Sequence, residues 1–410
     1  MYTIVKLENP IRHYAWGSSS AIAELQGRPA PAARPEAELW IGDHPKAPSS
    51  ALVDGQPVDL REWIAGDPDA VLGSTLRKRY GDSLPFLVKL LAAAHPLSIQ
   101  VHPNAQQATD GYAREQALDV PPSSRKRSYC DPNPKRELLI ALTRFRGLCG
   151  FRTDAEVEEL LELAAGPVAR KLLRAPGGGS GSERPPLAAA LLYQLLEAEK
   201  GLQRAVYREM REFGQRQLRR NPVADCVSLL CRERSDDAMV MAPLLLNPLT
   251  LEPGQALAVH PGTVHCYLEG FGVEVMSCSD NVIRGGLTPK YVDLPELKAV
   301  ALPRATPPEV VEPSVLSPSE RCFRIGAPEF AVTSEELAAR NHPVRHANRA
   351  PRVLLCVEGR FQVEAGDGSP TLELVPGEAA LLPACVREYR LRGRAHLFSV
   401  TTDETAPETR

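Results

Sequence analysis

No apolar run in this 410-residue chain approaches the ~18 residues that a membrane span requires. The opening segment, Met1 to Pro10, lacks the basic and then apolar stretches of a secretory signal. A cytosolic protein with no membrane attachment is the expectation. Surplus positive charge is missing too: 48 Lys and Arg stand against 51 Asp and Glu, a formal charge of −3. Neutralising a phosphate backbone needs such a surplus, so nucleic acid is not an expected partner. Nine cysteines, at 130, 149, 226, 231, 266, 278, 322, 356 and 385, are odd in number and contain no CxxC pair. A disulfide framework is thereby disfavoured and a reducing compartment favoured.

What is present is a change of texture along the chain. Up to about residue 150, short apolar runs such as Glu38 to Gly42 and Leu84 to Leu91 are broken by Pro and Gly, which reads as strands and turns. Between about 154 and 232 the apolar spacing becomes three and four. Val157, Leu160, Leu161 and Leu163, then Leu187, Leu191, Leu192, Leu195 and Leu196, fall on helical stripes. Within that region, Ala175 to Pro186 is rich in Gly, Ser and Pro, and a mobile surface loop is expected there. Strand texture returns after Pro243.

Two later segments resemble each other, Leu251 to Tyr267 and Leu374 to Tyr389. Each runs Pro-Gly turn, apolar strand, proline-led turn and a second strand ending in Tyr, the pattern of a hairpin corner used twice in related antiparallel barrels. Allowing one gap, Arg387 stands where His265 stands, so only the first copy can ligate a metal in that way.

Candidate chemistry begins at Leu97 to Pro103. Strand alternation there points Gln100 and His102 out of one face, and the proline after His102 supports an extended backbone. An imidazole nitrogen and an amide oxygen aimed into one space can ligate zinc, although for such a pair alone a polar strand face meeting solvent is the commoner explanation. Glu137 sits at a strand entrance after the turn-rich Asp131 to Arg136, and His265 follows the Pro261-Gly262 turn. Each also has a bland reading, as a solvated carboxylate and as an ordinary core or surface histidine. His44, His95 and His260 rank below His102 and His265. Arg284 lies in a glycine-flanked segment where it either meets an anionic oxygen or pairs with Asp280 to fix a loop.

Taken together, the motifs resemble those of the type I phosphomannose isomerases. The likeness runs through Tyr14 to Gly17, Glu38 to Gly42, Leu84 to Lys89, Ser98 to Asn104, Asp131 to Asn133 with Lys135 and Glu137, and Gly147 to Arg152. It continues through His265, Tyr267, Ser279 to Asn281 and Arg284 to Gly286 to Lys290. The resemblance implies a mainly β fold with a helical insertion: two cupin-type jelly-roll barrels, the first catalytic, plus an α-helical domain. The expected division is 1–153 and 241–310 for the catalytic cupin, 154–240 for the helical insertion, and 311–405 for a cupin-like barrel without metal ligands. It further implies one Zn2+ held by Gln100, His102, Glu137 and His265, and interconversion of mannose 6-phosphate and fructose 6-phosphate. The family's arginine falls on Arg284, while Lys89, Ser98, Lys135, Tyr267, Glu274, Asp280 and Lys290 match positions lining its substrate pocket. One departure stands out: Pro134 occupies the place of a family histidine considered a proton donor in ring opening, and Arg136 replaces a proline.

Aldose–ketose isomerisation moves a proton between C1 and C2 through an enediol, so an oxyanion must be stabilised. Arg284 is expected to supply fixed charge, Glu274 to act as base, and Lys89, Ser98 and Lys135 to hold phosphate or hydroxyls. A sugar phosphate is the expected partner of a monomeric chain. Two rival readings remain: a cupin-type non-haem iron oxygenase, and a metal-bound sugar-phosphate sensor that has lost catalysis.

Overall fold

The computed structural model describes residues 2–164, 166–174, 185–338, 344–366, 368, 370–403 and 405–406. The loop expected over 175–186 lies, as far as residue 184, outside the described residues. The chain is sheet-rich with helices, and among the described residues neither of its two large sheets closes into a barrel.

The first sheet carries Phe86–Ala93, Ile99–Val101, Glu137–Ala141, Phe145–Phe151, Ala256–Val259, His265–Ser277 and Ile283–Gly286. Its axis is the strand His265–Ser277, which changes partners half way. Residues 265–269 pair with Phe145–Phe151, and 270–277 pair with Phe86–Ala93 and Glu137–Ala141. The change occurs at Gly270, where φ is +139° and a Cβ would come within 2.5 Å of the Phe145 ring. A side chain there is excluded twice over, by backbone conformation and by space.

Alternation then decides what each face does. In the first half of the sheet Leu39, Ile41, Val88, Leu90, Leu138, Ile140, Val273 and Val275 pack against Val332, Val353, Leu355, Leu381 and Phe398 of the second sheet. Each fully buried side chain of this kind contributes about 1.5–3 kcal/mol. The residues between them, Lys89, Glu137 and Glu274 among them, are thereby turned to the opposite face.

Five helices, Asp154–Ala164, Pro167–Arg174, Leu187–Glu197, Lys200–Arg216 and Pro222–Glu233, form the expected helical region. Val157, Leu161, Leu191, Leu192 and Leu195 are buried as their spacing predicts, whereas Leu163 is 39% exposed. This core is continuous with Ile99, Val101, Val264, Cys266 and Ile283. The helices thus cover the backs of the strands whose alternate residues are Gln100, His265 and Arg284.

The second sheet is built from the C-terminal third, but Val5–Glu8 and the hairpin Ser50–Val53 with Gln56–Asp59 are hydrogen-bonded into it beside Ala379–Leu382. The N-terminal residues are therefore shared between the sheets. The repeat seen in the sequence has a structural counterpart. Ala256–Val259 is followed by the long strand His265–Ser277, and Ala379–Leu382 by the long strand Glu388–Thr401. None of the nine cysteines is in a disulfide. Among the described residues no helix is long and apolar enough to cross a membrane.

Candidate metal centre

His102 follows directly on Ile99–Val101, and the strand is stopped by a helix start. Asn104 caps that helix: its side chain accepts from the Gln107 N–H at 2.9 Å while the Gln107 side chain accepts from the Asn104 N–H at 3.0 Å. Glu137 opens its strand and His265 opens the long central one. The two imidazoles and the carboxylate converge, 0%, 0% and 2% exposed respectively. His102 Nε2 lies 3.3 Å from Glu137 Oε1, and His265 Nε2 lies 3.4 Å from Glu137 Oε2.

Three buried atoms in this cluster, His102 Nε2, Glu137 Oε2 and His265 Nε2, have no hydrogen-bond partner. Both Nδ1 atoms are engaged, His102 with the Asn281 carbonyl at 2.7 Å and His265 with the Thr263 carbonyl at 3.0 Å. A carbonyl only accepts, so each Nδ1 carries a proton, and the neutral form of either ring has its lone pair at Nε2. Burial first, and then the nearby Lys135 charge, pushes His102 down to about 4, so its ring is neutral at physiological pH. Burial alone would raise the Glu137 pKa, but Lys135, 3.0 Å from its Oε1, and the two histidines outweigh it and hold the group ionised. Two imidazole Nε2 atoms and a carboxylate oxygen, all buried and unpartnered, therefore fit a divalent metal such as zinc.

Gln100 completes the expected set by register. It lies directly opposite His265 on one neighbouring strand and Arg284 on the other, so the three share a face. Arg284 is half-buried, and among the described residues no carboxylate pairs with it; burial lowers its pKa. The alternative partner, Asp280, is occupied by Lys46 at 2.8 Å and by His44 Nε2 at 3.4 Å. A loop-fixing Arg284–Asp280 pair is thus not what the structure forms.

Lys89 and Glu274 face each other across paired strands, with Nζ 2.9 Å from Oε2. Glu38 lies 3.6 Å from the same ammonium and takes a hydrogen bond from Trp40 Nε1 at 2.7 Å. Burial would push Lys89 down, but the Glu274, Glu38 and Glu137 carboxylates hold it up and charged. Glu274 moves the other way from Glu137: burial raises its pKa although Lys89 opposes the shift. Tyr267 is buried with its hydroxyl unpaired, and burial followed by the Glu274 and Glu137 charges keeps it protonated. Ser98 is half-buried; Lys290 is exposed as a residue, but partial desolvation of its ammonium, followed by the Arg284 and Lys46 charges, lowers its pKa.

The sequence reading left three contributors without a role. Asn281, fully buried, orients His102 through its carbonyl and ties down residues 130–133 through its amide. His44 and Lys46 hold Asp280 and, with Pro134, line a cavity of about 610 Å³ whose walls include none of the four expected ligands. No sequence signal links His102 to Asn281, which are 179 residues apart. His95 and His260 lie near the surface, with ring nitrogens in hydrogen-bond contact with Glu233 at 2.8 Å and Glu309 at 3.0 Å.

Comparison with known proteins agrees with this geometry. Residues 4–154 match the family profile of the phosphomannose isomerase type I catalytic domain. The mannose-6-phosphate isomerase of Escherichia coli K12 is 38% identical over 399 residues, 96% of this chain and 98% of that protein. A crystal structure of a lysine-to-alanine variant of phosphomannose isomerase from Salmonella typhimurium superimposes with a TM-score of 0.89 at 34% identity, covering 98% of this chain and 100% of that one. A zinc-bound mannose 6-phosphate isomerase gives a TM-score of 0.88 at 34% identity over the same shares. With likeness extending over the whole length in sequence and in structure, the chain belongs to the type I phosphomannose isomerase family.

Proposed function

We propose that this chain interconverts D-mannose 6-phosphate and D-fructose 6-phosphate, using one zinc ion held by Gln100, His102, Glu137 and His265. The observation that carries the reading is the convergence of three unpartnered donor atoms, His102 Nε2, Glu137 Oε2 and His265 Nε2, in a buried site. When bound there, the metal supplies Lewis-acid polarisation of the substrate's carbonyl and hydroxyl oxygens.

The remaining work belongs to the chain. Glu274, raised by burial, takes the C2 proton and returns it at C1, and the Lys89 ammonium 2.9 Å away holds the carboxylate in position. Lys89 is engaged by two protein carboxylates, which favours this supporting role over the phosphate contact first expected of it. Arg284, free of carboxylate partners among the described residues, sets a permanent charge beside the developing oxyanion. Lys135, Ser98, Tyr267 and Lys290 are assigned to substrate hydroxyls and phosphate, and Asp280 to the wall shared with the neighbouring cavity. Pro134 has no proton to give, so ring opening uses another group, a water or the open sugar already in solution.

The bent first sheet with residues 1–153 and 241–310 is read as a catalytic cupin, 154–240 as its helical insertion and 311–405 as a second cupin-like unit. A monomer in the cytosol is the accompanying reading, and nine cysteines outside any disulfide support that compartment. Family membership disfavours the oxygenase and sensor alternatives.

The test is turnover of mannose 6-phosphate by the purified chain before and after chelation, with zinc measured on the same samples. Loss and recovery of activity with the metal is expected; full turnover by metal-free protein would overturn the reading. Glu274→Gln should keep zinc and stop exchange of the C2 proton with solvent. Exchange at the normal rate removes Glu274 as base.

A further inference from the structure

A second constellation of ligating side chains lies outside this site, in the C-terminal sheet: Glu320, Glu335 and His346. We propose that these three bind a second divalent transition-metal cation, of the borderline class that imidazole and carboxylate together prefer.

The argument begins with strand register. Glu320 and Glu335 are directly opposed on the antiparallel strands Glu320–Phe323 and Ala331–Leu337. Two carboxylates in that relation repel each other, and the pair destabilises the sheet unless a cation lies between them. Solvent does little to relieve the repulsion at Glu335, whose side chain is 5% exposed. That residue shares its face with Leu337 and, across the pairing, with Leu397, both members of the core on that side of the sheet. Evolution of an ordinary core would place an apolar residue there.

Among the described residues no lysine or arginine neutralises the pair: neither carboxylate has one within ion-pair distance. Arg352, whose charge reaches the adjoining Tyr389, is bonded instead to Ser399 at 2.6 Å and to Asn348 at 3.4 Å. What faces the carboxylates is His346, with Nε2 3.5 Å from Glu335 Oε1 and Nδ1 3.8 Å from Glu320 Oε1. Its Nε2 is fully buried without a hydrogen-bond partner. A buried imidazole nitrogen without a partner, set beside a buried carboxylate, is a feature shared with the first site.

The ring is also preset. His346 stacks on Tyr389, its cross-strand neighbour, with centroids 4.9 Å apart and planes at 13°. One donor atom from each of the three residues lies within 4.8 Å of the others, so a small closure brings all three onto one ion. Arg387, which replaces the first-site histidine in the repeated hairpin, takes no part: the second site uses other positions of its own sheet.

The experiment counts metal. The purified full-length chain, stripped and reloaded with Zn2+ and separately with Co2+, should retain two equivalents after gel filtration. Glu335→Gln and His346→Gln should each retain one, with turnover of mannose 6-phosphate unchanged and the cobalt absorption of the second site gone. Glu137→Gln should lose the other equivalent and keep this one. One equivalent in the wild type, or two equivalents undiminished in both Glu335→Gln and His346→Gln, would overturn the proposal. If both variants instead melt earlier without any change in metal content, the cluster is a protonated-histidine ion network and the proposal fails.

Discussion

Asn281→Ala offers the most searching test of how the first site is held. The amide is the hub of four good hydrogen bonds. It accepts from the Cys130 N–H at 2.7 Å and the Asp131 N–H at 3.2 Å, and donates to the carbonyls of Asp131 at 2.8 Å and Asn133 at 2.9 Å. At roughly 1 kcal/mol net for each, removing them costs about 2–4 kcal/mol, the lower end applying where solvent reaches the loop and replaces a partner. The residue's own carbonyl remains in the variant, but nothing then fixes the backbone that aims it at His102 Nδ1, 2.7 Å away. Loss of such an orienting partner typically weakens metal binding 10–100-fold, about 1.4–2.8 kcal/mol.

Competition with a chelator of known affinity, run well below the melting temperature, measures that change directly. Turnover should be low at limiting zinc and recover toward the wild-type value at saturating zinc, because no substrate contact is removed. A residue that touched substrate would show the opposite pattern, with zinc affinity kept and turnover lost at any zinc concentration. If Asn281→Ala binds zinc within twofold of the wild type, the carbonyl does not need its anchor and the positioning argument is refuted.

Arg284→Ala should show that opposite pattern, a fall in kcat of roughly 10²–10³ with zinc content unchanged, and ordinary turnover would remove the residue from the mechanism. Lys89→Met deletes the charge that opposes the burial-driven rise at Glu274, so the acid limb of the kcat/KM profile should move to higher pH. The sign follows because the neutral acid is favoured once the ammonium is gone; a limb that stays in place would mean a different group titrates. Arg136 and Glu329, both nearly buried and 3.1 Å apart, join the approach to Glu137 to the C-terminal part. Arg136→Leu alone should cost about 3–5 kcal/mol by stranding the carboxylate, whereas Arg136→Leu with Glu329→Leu should melt closer to the wild type. A double variant that melts no higher than the single one would show that the pair is not coupled.

How much of this was legible in the sequence depends on the distance over which each feature is set. Helical stripes were readable because period and burial are local: Val157, Leu161, Leu191, Leu192 and Leu195 are buried where their spacing puts them. Leu163 lies on the same stripe but outside the packed sector and remains exposed. The repeated hairpin was readable for the same reason, since Pro-Gly turns and apolar runs of fixed length are written consecutively. Gln100 and His102 came from a two-residue period. By contrast, the attachment of Val5–Glu8 to Ala379–Leu382 joins the two ends of the chain, and no local signal encodes it.

The electrostatic partners were the least legible, and the reason is register. Lys89 sits opposite Glu274, 185 residues away, because Phe86–Ala93 pairs with His265–Ser277 at one alignment out of several. A slip by one residue would turn Lys89 to the other face and into the apolar core, so the core residues on either side, Val88 and Leu90, fix the charge pair without touching it. The same logic applies to Glu320 and Glu335. Their like charges are set face to face by the packing of Phe323 and Val332, which belong to the core between the sheets. Apolar alternation can thus force an unfavourable charge pair into being, and a fold that keeps such a pair needs a counter-ion. In the first site the chain supplies Lys135 and room for a metal; in the second it supplies one histidine, and the charge that remains uncompensated is the reason to look for an ion there.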